Sequence, residues 1–277
     1  MTAARHSELF ALLDITGEDA AQCAALLDSP AGPGVVRAMA ALRERLGTFP
    51  SGYAKAEDTT ELDWIEALLR FAPELLEFHS THGIAPELTA AILGDLGLQL
   101  RINRRVHGDF GLDTWGWLTL HMAGNMFRLG RLQYHLIREV GTEAGSLVPD
   151  GQWILGVHIP EDSGLSPALV DESLTMAKEF FARFFPERPV AEATCDSWML
   201  DPYLAAKLPE SNIASFARRF TVGRCTDEPT DAVYFTFRQR GLDRLDKLPR
   251  ETSLQRVVLE RIDDGGTWQI GHGRLSL

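Results

Sequence analysis

Residues Trp153 to Phe181 read WILGVHIPEDSGLSPALVDESLTMAKEFF: a histidine closes an apolar run, a short loop of Pro, acids, Ser and Gly follows, and then a helix begins. His158 titrates near neutrality by nature, which suits a general base. The loop PEDSGLSP is a ready anion site, because the unbonded N–H groups of a helix's first turn and the helix dipole point at whatever sits there. A plain helix start explains it as well: Ser166 is a cap residue, Pro167 suits the first helical position, and Asp171 and Glu172 lie early in the helix. The loop matches neither the phosphate-loop nor the dinucleotide fingerprint, so the residues alone leave both readings open.

The string CDSWMLDP is a second concentration of reactive groups. As a strand it puts Cys195, Ser197 and Met199 on one face and Asp196, Trp198 and Leu200 on the other, and one set alone faces a cleft. A nucleophilic Cys195 requires an activating base and a lowered pKa, and the sequence locates no such partner; a buried small hydrophobe is the plainer role. His79 and His82 in FHSTH sit at a helix end with no third ligand in view, so they read as solvated or capping residues and no metal site is expected. Arg101, Arg104 and Arg105 in RINRRVHGD make a basic cluster, which either meets nucleotide phosphates or is a solvated face.

The elements that position these groups fall into two kinds. Up to about residue 125, apolar residues recur at three and four in SELFALLDI, DAAQCAALLDS, GVVRAMAALRERLG, ELDWIEALLRFAPELLEFH and PELTAAILGDLGLQL, which predicts a helical bundle. Beyond it the pattern predicts strands at 129–137 and 153–159, a helix at 167–185, a strand at 193–200, and a helix at 202–208. Further strands at 232–238 and 267–275 flank a helix near 253–262. With 277 residues, 45% of them hydrophobic, the chain is long enough to bury a sizeable core, and a net charge of −12 argues against nonspecific nucleic-acid or anionic-membrane binding. Three widely spaced cysteines, Cys23, Cys195 and Cys225, read as free thiols of a reducing compartment. No signal peptide or membrane span is legible, which makes the cytoplasm the expected location.

The runs FRLGRLQYHL, ILGVHIPEDSGLSPALVDESLTMAKEFFARFFPE and CDSWMLDPYLAAKLPESNIASFARRF resemble the bacterial two-domain acyltransferases, which join an N-terminal helical domain to a GNAT-like C-terminal domain. The resemblance implies an α+β chain: an all-α bundle over residues 1–125 and a GNAT-like mixed α/β sheet domain over 126–277. It implies an N-acyltransferase that moves an acyl group from acyl-CoA, or from an acyl carrier protein thioester, to an amine of a small molecule. The alternative is a non-catalytic module of the same fold that binds such a thioester or a protein partner.

In that superfamily the thioester lies against a strand and the pyrophosphate sits on the next helix N-terminus. Carried onto this chain, Gly156, Val157 and Ile159 become the cofactor strand, and Ser163, Gly164, Leu165 and Ser166 the pyrophosphate loop. Backbone N–H groups near Val157 and His158 serve the oxyanion. His158 becomes the base, on the strand face opposite Val157 and toward the helical domain. Tyr203 falls where many members keep a general acid, although it equally suits packing of a helix, and Asp196 and Ser197, the polar groups of the neighbouring strand, complete the candidate catalytic set. One departure stands out: of the superfamily's signature (Gln or Arg, two residues, Gly, one residue, Gly or Ala) only Gly164 is present, and Glu161 and Asp162 repel phosphates if they turn inward.

Overall fold

A computed structural model describes residues 6–139 and 151–277. Its first part is helical throughout: α1 (Ser7–Leu12), α2 (Gly17–Leu27), α3 (Pro33–Arg45), α4 (Glu61–Thr81), α5 (Pro86–Leu93), α6 (Asp95–His107) and α7 (Trp115–His121). Helix α4 organises this unit. A reciprocal cap starts it, with Asp63 N–H donating to Thr60 Oγ1 at 3.2 Å and Thr60 N–H to Asp63 Oδ2 at 2.8 Å. Trp64, Ile65, Leu68, Leu69, Phe71, Ala72 and Leu75 are all buried, and Trp64 stacks on Trp115 with centroids 4.5 Å apart. A side chain at Gly97 would strike Asp14 O at 2.0 Å, so glycine there lets α6 reach the end of α1, where its N–H bonds Leu13 O.

After α7 come β1 (Met126–Leu129), β2 (Leu132–Arg138), β3 (Trp153–His158), α8 (Pro167–Phe184) and β4 (Glu192–Ser197). They are followed by α9 (Pro202–Lys207), α10 (Asn212–Ala217), β5 (Thr221–Asp227), α11 (Asp231–Phe237), α12 (Ser253–Asp263) and β6 (Gln269–Ser276). The strands form one mixed sheet in the order β1-β2-β3-β4-β6-β5. Strands β3 and β4 run parallel, joined through α8, and β6 lies antiparallel to both β4 and β5. Two compact units result, Met1–Arg128 with His135–Arg138, and Leu129–Tyr134 with Glu139–Leu277. Among the described residues no helix is long and apolar enough to cross a membrane.

The architecture is the mixed sheet domain after helices that the periodicity predicts, with four local differences. The expected strand 129–137 is a hairpin, because Gly130 at φ 67° turns the chain between β1 and β2. The expected strand 232–238 is helix α11: Ala232 and Val233 are fully buried in a cluster with Trp198 and Trp268, and that packing overrides the strand preference of AVYFTF. Strand β5 is not predicted at all, since Gly223 and the charges around it hide the alternation; a bulge between Val222 and Arg224 absorbs the glycine. Strand β4 stops at Ser197, three residues short of the expected end, because Ser197 Oγ caps a 3-10 turn over Trp198–Leu200 by accepting from Met199 N–H at 3.1 Å.

Candidate functional site

The loop between β3 and α8 is held from within by Arg131, at the turn of the β1-β2 hairpin. Arg131 is 5% exposed, and its guanidinium donates to three backbone carbonyls of the loop: Pro160 O at 2.8 Å, Ser163 O at 2.7 Å and Gly164 O at 2.8 Å. The hairpin tip is itself seated on α8, where Ser173 Oγ donates to Leu129 O and accepts from Leu132 N–H at 3.1 Å. Ser163 and Gly164 are exposed, Leu165 is buried beneath them, and a side chain added at Gly164 would meet nothing within 4 Å.

Ser166 occupies the N-cap position of α8, yet its hydroxyl makes no capping hydrogen bond. The simple-cap explanation of the sequence therefore lacks its bond. Two ion pairs set the charge there. Arg219 donates to Pro167 O at 3.2 Å and to Asp171 Oδ1 at 2.6 Å, which places a cation at the first turn of α8. Glu161 is held by Arg238, whose Nε–H donates to Glu161 Oε1 at 3.2 Å. Glu161, one of the two carboxylates that threatened to repel phosphates, is thus matched by a cation.

Strand register decides which candidates share a face. Registered partners in a sheet point the same way, and β3 pairs with β4 as Leu155↔Ala193 and Gly156↔Thr194. His158, two residues past Gly156, therefore lies on the face of Thr194 and Asp196, whereas Val157, Ala193, Cys195 and Ser197 lie on the other. The registered pairs end at Gly156 and Thr194, while β3 continues to His158 and β4 to Ser197. His158 and Ile159 are half-buried at that end of the strand, and Val157 is buried.

Asp196 does not stand alone. It pairs with His272 of β6, its registered partner, at 2.8 Å from Nδ1, and His272 Nε2 lies 2.9 Å from Thr226 Oγ1 of β5. A carboxylate only accepts, so the Nδ1–H of His272 donates to Asp196. The result is a carboxylate, imidazole and hydroxyl row across three adjacent strands, on the same face as His158. His272, Thr226, Arg131, Arg219 and Arg238 all escape sequence reasoning; the only signal is the polar alternation of QIGHGRLS, which puts His272 and Arg274 on one face of the last strand.

The remaining candidates have other surroundings. Cys195 is buried, and burial first, then the neighbouring Asp196 charge, pushes its thiol up, away from nucleophilic thiolate chemistry. Tyr203 belongs to a packed cluster: the Arg261 guanidinium lies 4.4 Å and Lys207 Nζ 5.4 Å from its ring, and Trp268 meets it edge-on at 5.8 Å. His79 is buried rather than solvated, with Nδ1 2.9 Å from Thr89 Oγ1 and Nε2 3.3 Å from Gly124 O, while His82 turns back to Phe78 O at 2.8 Å. Among the described residues no group of three His, Cys, Asp or Glu is placed to hold a metal ion. Arg101 and Arg104 are ion-paired to Asp14 and Asp19, both at 2.6 Å, which is packing of α6 against the first helices.

A parallel strand pair that outruns its registered pairing, the loop and helix that follow it, and a histidine on one face make up the candidate site. Comparison with known proteins shows the family. Residues 126–275 match the GNAT-like C-terminal domain and residues 4–124 the N-acyltransferase N-terminal domain. An acyltransferase solved with decanoyl-CoA is 30% identical with a TM-score of 0.86, covering 99% of this chain and 88% of its own. A mutant acyltransferase with octanoyl-CoA gives 31% and 0.85 over 99% and 88%, and an acyltransferase with decanoyl-CoA and teicoplanin gives 31% and 0.84 over the same shares. No curated protein matches by sequence. This chain is an acyltransferase and belongs to the family that joins an N-acyltransferase N-terminal domain to a GNAT-like C-terminal domain.

Proposed function

We propose that the protein transfers a medium-chain acyl group from acyl-CoA to an amine of a small polar molecule, with the donor on β3 and α8. The observation that carries this reading is the braced loop at the uncapped N-terminus of α8, directly after the strand that ends in His158. CoA thioesters in the related structures support the donor, and teicoplanin in one of them supports an amine-bearing small molecule as acceptor. A CoA-dependent enzyme of this kind works in the cytoplasm, where CoA thioesters are made.

In this mechanism Gly156, Val157 and Ile159 carry the pantetheine, and Ser163, Gly164, Leu165 and Ser166 receive the pyrophosphate on their backbone N–H groups. The amine attacks the thioester carbonyl, and the oxyanion is met by a backbone N–H at Val157 or at His158, since consecutive strand N–H groups point to opposite edges. His158 takes the amine proton, directly or through one water. As the C–S bond breaks, the thiolate takes up that proton from the His158 imidazolium, and Tyr203, packed by Arg261, Lys207 and Trp268, is left to shape the fold. Asp196 acts through His272, fixing a second imidazole on the face that carries His158. Ser197, on the opposite face and occupied in capping, has no part in the transfer.

Incubation with a panel of acyl-CoAs and an acyl carrier protein thioester, each with amine acceptors, tests the donor by mass spectrometry of released thiol and acylated product. Turnover with the carrier thioester alone would refute the CoA reading. For the base, His158→Gln keeps size and polarity while removing the basic nitrogen. It is expected to lower kcat roughly a hundredfold and to flatten the pH profile. A folded variant that turns over at the parent rate from pH 6 to 9 would remove His158 from the chemistry.

A further inference from the structure

The loop that precedes α8 lacks the glycines by which such loops ordinarily turn their N–H groups toward a pyrophosphate, yet it must present them if the donor site lies there. The structure supplies another device. Arg131 reaches from the hairpin turn and holds the carbonyls of Pro160, Ser163 and Gly164 at 2.8, 2.7 and 2.8 Å. In a planar trans peptide the C=O of one residue and the N–H of the next point in opposite directions. Pinning those three carbonyls to a buried guanidinium therefore turns the N–H groups of Glu161, Gly164 and Leu165 away from it, to the outer side of the loop.

Arg131 is itself fixed. Gly130, at φ 67°, brings the hairpin turn against α8, and a side chain at Gly130 would stand 3.3 Å from Met176 Sδ and 3.6 Å from Ser173 Cα. Ser173 hydrogen-bonds the hairpin on both sides of that turn, and Tyr134 O–H adds a third contact to Ser173 at 3.0 Å. Hairpin, loop and helix thus form one braced unit with a cation at its centre. The guanidinium fork matches three divergent carbonyls, which a lysine ammonium on a flexible stem does not hold in one geometry.

We propose that Arg131 is the positioning residue of the donor site: it presets the loop N–H groups for the CoA pyrophosphate, in place of the missing glycine signature. The proposal rests on the reading of this loop as the pyrophosphate site, and its test separates the two. Steady-state kcat/KM is measured for an acyl-CoA and for the same acyl group on pantetheine, which lacks the pyrophosphate, in the parent enzyme and in Arg131→Lys. The parent is expected to prefer the CoA thioester, and the ratio of the two kcat/KM values to fall roughly tenfold or more in Arg131→Lys, chiefly through KM for acyl-CoA. A substitution that merely loosens the fold lowers both donors alike and leaves the ratio intact, which would overturn the proposal. If the parent itself uses both donors equally, the pyrophosphate reading fails and the proposal falls with it. A crystal structure of the unmutated enzyme with acyl-CoA needs no variant: it is expected to keep all three Arg131 carbonyl bonds with the loop N–H groups on the pyrophosphate. An Arg131 that leaves the carbonyls to bind phosphate oxygens directly would overturn its positioning role.

Discussion

At the scale of single residues, the loop proposed to receive the donor exposes Ser163 and Gly164 above a buried Leu165. Gly164 is exposed, its added Cβ meets nothing within 4 Å, and its φ lies outside the left-handed region, so a larger side chain there costs folding little. What such a side chain does is cover the outer side of the loop, where the N–H groups point. Gly164→Val is therefore expected to weaken CoA binding about tenfold or more, with a urea midpoint close to that of the parent. Titration calorimetry with CoA beside a denaturation curve checks both halves; unchanged affinity in the folded variant would count against the site. Asp196 and Ser197 show how sharply one residue step matters. They are chain neighbours, yet one meets a histidine across the sheet and the other caps a 3-10 turn behind it.

At the scale of elements, β6 decides the geometry of the second unit, because it lies between β4 and β5 and has to pass the turn that follows β4. Gly271 is the point of closest approach: a Cβ there would stand 2.7 Å from Leu200 O and 2.8 Å from Leu200 Cβ. Backbone atoms cannot rotate aside, so Gly271→Ala has to push β6 away from the 3-10 turn and with it shift His272 from Asp196. The expected cost is about 1–3 kcal/mol of stability, read as a lowered urea midpoint. An unaltered midpoint would mean that the strand and turn separate freely. Helix α11 belongs to the same scale. Its sequence is strand-like, and it is helical because its small and β-branched residues fit against Trp198 and Trp268, whose rings cross at 89°.

At the scale of the whole molecule, the histidines buried in the helical unit and its strand segment couple folding to pH. Burial pulls His79 down to about 4, against an opposing hydrogen bond to Gly124 O. Burial likewise pulls His135 down to about 4, outweighing its bond to Pro50, and it holds His121 at about 3 although Asp95 Oδ2 lies 3.6 Å from its ring. The unfolded chain takes up these protons near pH 6.5, the ordinary histidine value, and the folded chain only near 4 or below. Between those values the unfolded state binds more protons, so stability falls as pH drops from about 6.5 toward 4 and is fully kept above it. Each group is worth on the order of 3 kcal/mol across the window. Denaturation midpoints at pH 7 and pH 5 check this: a clear loss at pH 5, made shallower by His79→Gln, is expected, and equal midpoints would contradict it.

What the sequence by itself determined is whatever short-range pattern fixes. The helical period before residue 125, the apolar run into His158 and the resemblance of the long runs carried the mixed architecture and the acyl-transfer chemistry, and the Ser-Pro start of α8 marked the loop proposed for the donor. Tertiary structure alone decided everything that depends on strands meeting from distant parts of the chain. The pairing of Asp196 with His272 follows from the register of β4 on β6, and the grip of Arg131 on the loop follows from the seating of a hairpin on α8; neither leaves a trace in local spacing. Tyr203 and α11 show the same limit from the side of packing. A residue's type offers a role, but the cations and rings that fold against Tyr203, and the tryptophans that fold against Ala232 and Val233, fix what those positions are. Such contacts are selected by buried area and close fit, which act on surfaces that exist only once the chain has come together.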